Sequence, residues 1–250
     1  MIDAADAAGI HLLVGHSHSY DLPYLRTRAL IETGEFGAVR MITALNFTDY
    51  LYRPRRPEEL DTRQGGGALF SQAPHQIEVV RLLACSEAIS VRASAGAWDP
   101  ARPTEGAYAA HLRFASGAFA NLTYSGYGRF DTDALHGWIG EMGEARDLGT
   151  YGERRRTLRG LDPAMEAELN NRRAYGTGSS AAGVRDRPPP AAHNHFGLFI
   201  VSCERGDLRP MANGVEIYGD TRRFDILPSP DVPRAEVIDE FAGSAPRSGA

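Results

Sequence analysis

Residues 107–114 and 118–125 are strand-like runs separated only by Ala115, Ser116 and Gly117. A connection this short forces the second run back antiparallel beside the first, because parallel neighbours need a crossover of a dozen or more residues. A third run near residues 89–98 precedes the pair, so a mainly antiparallel sheet is expected here. Residues 39–48 extend it. Val39, Met41, Thr43, Leu45 and Phe47 alternate with Arg40, Ile42, Ala44 and Asn46, the pattern of a long strand with one face on a core. Further strands are expected at 134–140, 196–203 and 214–218.

The opening differs. Residues 1–8 read as a helix end closed by Gly9, and residues 10–15 as a short, buried parallel strand, a fragment of a βαβ pattern. Asp21 can cap a helix that tolerates Pro23 in its first turn and ends before Gly34 and Gly37. Helices are also expected from Gly67 to about Leu83, over 161–173, and from Pro233 to Phe241. Residues 176–192, ending in three prolines, read as a linker, and the tail after Gly243 as disordered.

The 250 residues carry 27 basic and 32 acidic side chains, a net charge of −5, and every basic residue is arginine. That balance argues against a nucleic-acid partner, and Arg154-Arg155-Arg156 reads as a solvated helix face. No apolar run is long enough to span a bilayer, and the first residues carry no positive n-region of a secretory signal. Two cysteines make no disulfide framework, so a reducing, cytoplasmic setting is expected.

Gly65-Gly66-Gly67 leads into the apolar helix that carries Ser71, Gln72 and His75. Imidazole titrates near neutrality, and Ser71 precedes His75 by one helical turn, so the pair suits proton transfer; a core histidine bonded to backbone is the plainer reading. Arg53, Arg55 and Arg56 lie in a proline-stiffened loop, where guanidinium forks could hold a carboxylate or simply pair with Glu58 and Glu59. His16 and His18 share one face of an extended segment and could contact substrate. With His75 they could instead ligate a metal, although no carboxylate or further ligand has matching spacing, so no metal is assigned. His193 and His195 read as a loop end, and Trp98 and Tyr52 as core or as stacking surfaces.

Three segments carry a family resemblance: GHSHSYD at 15–21, ETGEFGAV at 32–39 and GGGALFSQAPHQIE at 65–78. They are similar to the strand end, helix-to-strand turn and histidine helix of the glucose–fructose oxidoreductase / inositol dehydrogenase (Gfo/Idh/MocA) family. LYRPRRPEELDTRQGGG, GAWDPARPTEGAY and FGLFIVSCERGDLRP resemble its phthalate dihydrodiol dehydrogenase-like members. The resemblance implies an NAD(P)-dependent dehydrogenase of a hydroxylated ring, such as an aromatic cis-dihydrodiol carboxylate. It implies His75 and Ser71 as catalytic residues, and His16, His18, Arg53, Arg55 and Gln72 on the substrate. It also implies a homodimer or homotetramer through the sheet.

The implied fold is α+β: a remnant of a Rossmann-type α/β domain packed on a large, mostly antiparallel sheet flanked by helices. Residues 1–20 would be the remnant of the dinucleotide-binding domain, 21–242 the substrate-binding and oligomerisation domain, and 243–250 a tail. Three departures stand out. The chain has no G-x-G-x-x-G and no lysine, and Ser71 occupies a position where the family often has aspartate. The cofactor-binding residues are therefore unassigned, and the chain is expected to be inactive alone. A non-enzymatic substrate-binding or dimerisation module and a metal-dependent hydrolase are the alternatives.

Overall fold

The computed structural model describes residues 1–10, 12, 16–175, 190–232 and 235–244. Seven helices are present among them: α1 (Ile2–Ala8), α2 (Leu22–Glu32), α3 (Gly67–Ser71), α4 (Ala73–Ala84), α5 (Glu153–Leu158), α6 (Pro163–Tyr175) and α7 (Ala235–Ser244). Eight strands follow the order β1 (Val39–Phe47), β2 (Ala88–Gly96), β3 (Ala107–Phe114), β4 (Phe119–Ser125), β5 (Leu198–Cys203), β6 (Gly206–Met211), β7 (Gly214–Tyr218) and β8 (Arg222–Ile226).

They form one sheet in the order β2-β3-β4-β1-β5-β6-β7-β8. Every neighbouring pair is antiparallel except β1 and β4, which run parallel with Ile42 beside Ala120 and Ala44 beside Leu122. The β3–β4 hairpin closes as its short connection demands. Phe114 N–H donates to Ala118 O at 2.9 Å, and Gly117 adopts φ +88°, a conformation that favours glycine. The mostly antiparallel α+β expectation therefore holds.

One face of the sheet is buried. Ile42, Leu122, Phe199, Val201 and Leu208 join Val79, Val80 and Leu83 of α4 in the core, each at most 1% exposed. Burying an aliphatic or aromatic side chain of this size stabilises the fold by about 1.5–3 kcal/mol. The alternate positions Met41, Thr43, Leu45, Leu198 and Ile200 are only half-buried. The edge strand β2 is exposed along nearly its whole length.

Several local expectations need correction. Residues 134–140 are not a strand. They hold a 3-10 turn, Thr132–His136, followed by Gly137 at φ +67° and Trp138 at φ +61°, and an extended run cannot pass through two left-handed residues. The single helix expected from Gly67 to Leu83 is two helices. The break falls at Gln72 (φ −118°), two residues before Pro74, whose ring and missing N–H interrupt the preceding turn. The strands β6 and β8 were not anticipated, and Pro210 inside β6 explains the first omission, since proline argues against a central strand.

The arginine run is no plain solvated face: Arg154 reaches Asp49 at 2.6 Å and Arg155 the Gly128 carbonyl at 2.6 Å. The expected strand at 10–15 falls largely outside the described residues, as do most of the 176–192 linker and the end of the tail.

Candidate active site

The Phe196 side chain, fully buried just before β5, anchors the site. Its ring lies 4.9 Å from that of His18 and 5.4 Å from that of His75, and it stacks on Tyr124 with 6.3 Å between centroids. Phe196 is itself fixed by its N–H donating to the Tyr24 hydroxyl at 2.8 Å. Around it the three expected histidines converge. His75, in the first turn of α4, meets His18 edge-on at 5.0 Å and His16 at 5.7 Å. Gln72, at the break between α3 and α4, accepts from the Tyr124 hydroxyl at 3.2 Å.

His18 sits in a 3-10 turn, Ser17–Tyr20, and is 2% exposed. Its Nδ1 is 2.6 Å from Asp21 Oδ2 and its Nε2 3.4 Å from Glu141 Oε1. Asp21 occupies the N-cap position of α2, as expected, yet its carboxylate turns to His18 rather than to the helix N–H groups. Burial on its own would push the His18 ring down. The bond to Asp21, then that to Glu141, overrides this and raises it to about 9. Glu141 is held well below the ordinary carboxylate range: burial opposes ionisation, but the His18 bond and the Arg53 charge prevail. Arg53 closes the cluster, with Nη2 3.3 Å from Glu141 Oε2 and Nε 3.8 Å from Asp49.

His16, His18, His75, Gln72 and Arg53 are thus brought together. Arg55 is not. Its guanidinium stacks 3.8 Å from the Tyr50 ring and donates to the Tyr50 carbonyl at 3.1 Å and to Glu59 at 3.4 Å. Arg56 is likewise paired with Glu58 and Glu59. Ser71 ends α3, so the break at Gln72 removes the continuous turn that was to align it with His75. Both ring nitrogens of His18 face carboxylates, which leaves no lone pair for a metal. Among the described residues no three His, Cys, Asp or Glu side chains could hold an ion.

Glu141 was missed, as were Asp133, His136 and His195 behind it. His195 lies, as expected, at the loop end before β5, and it is buried. It stacks on His136 at 3.9 Å, accepts from Gly197 N–H at Nδ1 and donates from Nε2 to the Ile139 carbonyl at 2.8 Å. His195 N–H donates to the Glu141 carbonyl at 3.1 Å, which ties the Glu141 turn to β5. Burial, then the neighbouring His195, drives His136 down to about 2, while burial, then Asp131, pushes Asp133 up to about 7. The one local signal for this region is Gly140 and Gly143. A Cβ at Gly143 (φ +81°) would strike the Ala192 carbonyl, so close approach of the two loops needs glycine there.

The triple-glycine turn does not form a dinucleotide cradle. The first N–H groups of α3 are already taken: Ala68 donates to Glu105 O at 3.0 Å and Leu69 to Glu105 Oε1 at 3.1 Å. A pyrophosphate there would meet a carboxylate. This turn therefore does not fit the pyrophosphate of a nicotinamide dinucleotide.

The sheet and the imidazole–carboxylate cluster above it make an α+β domain with a buried, charged site. Residues 24–141 match the GFO/IDH/MocA C-terminal domain. The chain is 44% identical over 240 residues to the 1-carboxy-3-chloro-3,4-dihydroxycyclohexa-1,5-diene dehydrogenase of Comamonas testosteroni, covering 95% of this chain and 60% of that protein. A solved Bordetella bronchiseptica RB50 protein, provisionally described as a dehydrogenase, superposes with a TM-score of 0.84 at 42% identity, over 98% of this chain and 64% of the other. An NAD binding oxidoreductase from Klebsiella pneumoniae shares the fold, with a TM-score of 0.55 at 17% identity over 97% and 52% of the two chains. Residues 24–141 thus carry the likeness to the Gfo/Idh/MocA C-terminal domain, and the chain spans less than two thirds of the length of the first two relatives.

Proposed function

We propose that this chain is the substrate-holding half of an NAD(P)-dependent dehydrogenase that oxidises a carboxylated cyclic diol, such as an aromatic cis-dihydrodiol carboxylate. The observation that carries the reading is the convergence of His75 and Arg53 on one cluster, in a chain 44% identical to a dehydrogenase named for a carboxylated dihydroxycyclohexadiene. Loss of a hydride from a ring carbon requires loss of a proton from its hydroxyl. His75 would take that proton, with His16 beside it, and Gln72 would orient the ring. Arg53 lines a cleft with Asn46, Thr48 and Glu141, and its Nε makes no hydrogen bond. A substrate carboxylate at that guanidinium would supply the missing acceptor. NAD or NADP is the hydride acceptor the family implies. No step is assigned to it.

A homodimer or homotetramer through the sheet is part of the proposal, supported by the half-buried Met41, Leu45, Leu198 and Ile200 on the face turned from α4. So is a cytoplasmic location, supported by two free cysteines. No helix of the described residues is long and apolar enough to cross a membrane. A second reading, a binding or dimerisation module without turnover, is favoured by the blocked α3 terminus.

The test is incubation of the purified chain with NAD or NADP and the carboxylated diol, followed at 340 nm, beside calorimetric titration with each alone. Turnover supports the dehydrogenase for this chain itself. Saturable diol binding weakened by Arg53→Gln, without turnover, supports the second reading. Absence of both removes the substrate assignment.

A further inference from the structure

We propose that Glu141 is a positioning residue for the His75 centre. With Asp21 it clamps the His18 ring from both nitrogens, so that His18 acts neither as base nor as substrate ligand but stands as a fixed, charged wall for the His75 ring. The inference rests on the reading of His75 as the proton-handling group.

A neutral imidazole presents one N–H donor and one lone pair. Here each nitrogen faces a carboxylate oxygen, Asp21 at 2.6 Å and Glu141 at 3.4 Å. A lone pair directed at either would be repelled, so the ring is doubly protonated, in keeping with its raised titration point of about 9. The Asp21 hydrogen bond and the Glu141 ion pair restrain the imidazolium at its two nitrogens, and the Phe196 ring packs against it. His75 meets this ring edge-on at 5.0 Å, so its orientation and its readiness to accept a proton both depend on a charge that Glu141 helps to maintain.

The neighbours of His18 are accounted for. His16 and Asp21 flank it in the chain, and His75 faces it from α4. Glu141 approaches from its turn with Arg53 behind it, and His195 and Tyr24 lie around Phe196. The helix α7, which packs on the Ser17–Tyr20 turn, carries Glu236, Asp239 and Glu240, none of them paired with His18 among the described residues. Asp21 and Glu141 are the two carboxylates in contact with the ring. Glu141 alone also reaches Arg53 and so joins the carboxylate-binding end of the site to the histidine end.

The experiment is titration of the imidazole nitrogens by 15N NMR in the uniformly labelled full chain, for the wild type, Glu141→Gln and Glu141→Asp. In the wild type His18 should keep both nitrogens protonated beyond pH 8. In Glu141→Gln its midpoint should fall by at least one pH unit. The His75 midpoint should also fall, because the lost anion leaves the charges of His18 and Arg53 uncompensated. Glu141→Asp should recover part of both shifts. A merely structural role would blur the amide spectrum without this paired displacement, and Glu141→Asp, which keeps the charge, stays informative if Glu141→Gln folds poorly. A His18 midpoint near 6.5 in the wild type overturns the proposal, and so does an unmoved His75 in Glu141→Gln. These titrations use neither diol nor nucleotide, so their failure is distinct from failure of the dehydrogenase assay.

Discussion

The Gly65-Gly66-Gly67 turn allows backbone strain and steric exclusion to be separated within three consecutive residues. Gly65 has φ +83°, and no atom lies within 4 Å of the position a Cβ would take, so Gly65→Ala meets conformational strain only, about 1–2 kcal/mol. Gly66 has an ordinary φ of −80°, but a Cβ there would lie 2.6 Å from the Glu58 carbonyl oxygen and from the Glu59 backbone. Backbone cannot swing aside as a side chain can, so Gly66→Ala carries an overpacking cost of about 1–3 kcal/mol. Gly67 combines both: φ is +83°, and a Cβ would lie 2.5 Å from Thr104 Oγ1 and 2.6 Å from Glu105 Cδ, besides striking Glu105 Oε1. Moving the Glu105 carboxylate also loosens its bond from Leu69 N–H and its contact with Thr62. Gly67→Ala should therefore cost about 2–5 kcal/mol, the strain and packing contributions together. Urea denaturation of the three variants, with comparable m-values, measures the order. A Gly67→Ala loss within about 1 kcal/mol of the Gly65→Ala loss, on the scale of those contributions, would refute the claim that Glu105 seats the start of the histidine helix.

Two predictions concern pH. The folded His18 lies above its unfolded value of 6.5, at about 9, so its stabilisation is complete below 6.5 and is lost as pH rises through 9. Denaturant midpoints between pH 6 and 10 should register a loss on the order of 3 kcal/mol, and His18→Gln should flatten that part of the profile. Asp133 behaves oppositely to an ordinary paired carboxylate. Burial, then Asp131, raises it from 3.8 to about 7, so the folded state prefers its protonated form and is penalised as pH climbs from about 4 to 7. Asp133→Asn should gain about 1–3 kcal/mol relative to wild type on going from pH 5 to pH 8 in the same assay, and a constant difference across that range would contradict the assignment.

What could be read in the chain before its fold follows from how far each constraint reaches. The β3–β4 hairpin was legible because its three-residue connection is a local steric fact, and β1 because its alternation repeats over nine residues. The strand expected at 134–140 did not form. The chain there passes through Gly137 and Trp138, and left-handed backbone is decided by what the turn must pack against rather than by residue type along the run. Pro210 disfavours a central strand, yet it is tolerated here because β6 pairs with β5 only as far as Leu208, leaving Pro210 opposite Val215 of β7 alone.

The site divides in the same way. His16, His18 and His75 could be nominated by residue type, and their meeting follows from the Ser17–Tyr20 turn packing on α4. Arg53 and Arg55 could not be told apart, since they share a loop, a charge and a spacing from proline. They differ in what comes from elsewhere in the chain, Glu141 for Arg53, and in a local stack on Tyr50 for Arg55. Glu141 itself sits in a glycine-bracketed turn like many surface acids. Only the approach of residues 192–195, which Gly143 permits by lacking a Cβ, turns it inward to His18. Charge partners in this protein are thus set by loop-to-loop contact, one level above the strand and helix periods. That is why the pairing of His18 with Glu141 had no signature within any single segment.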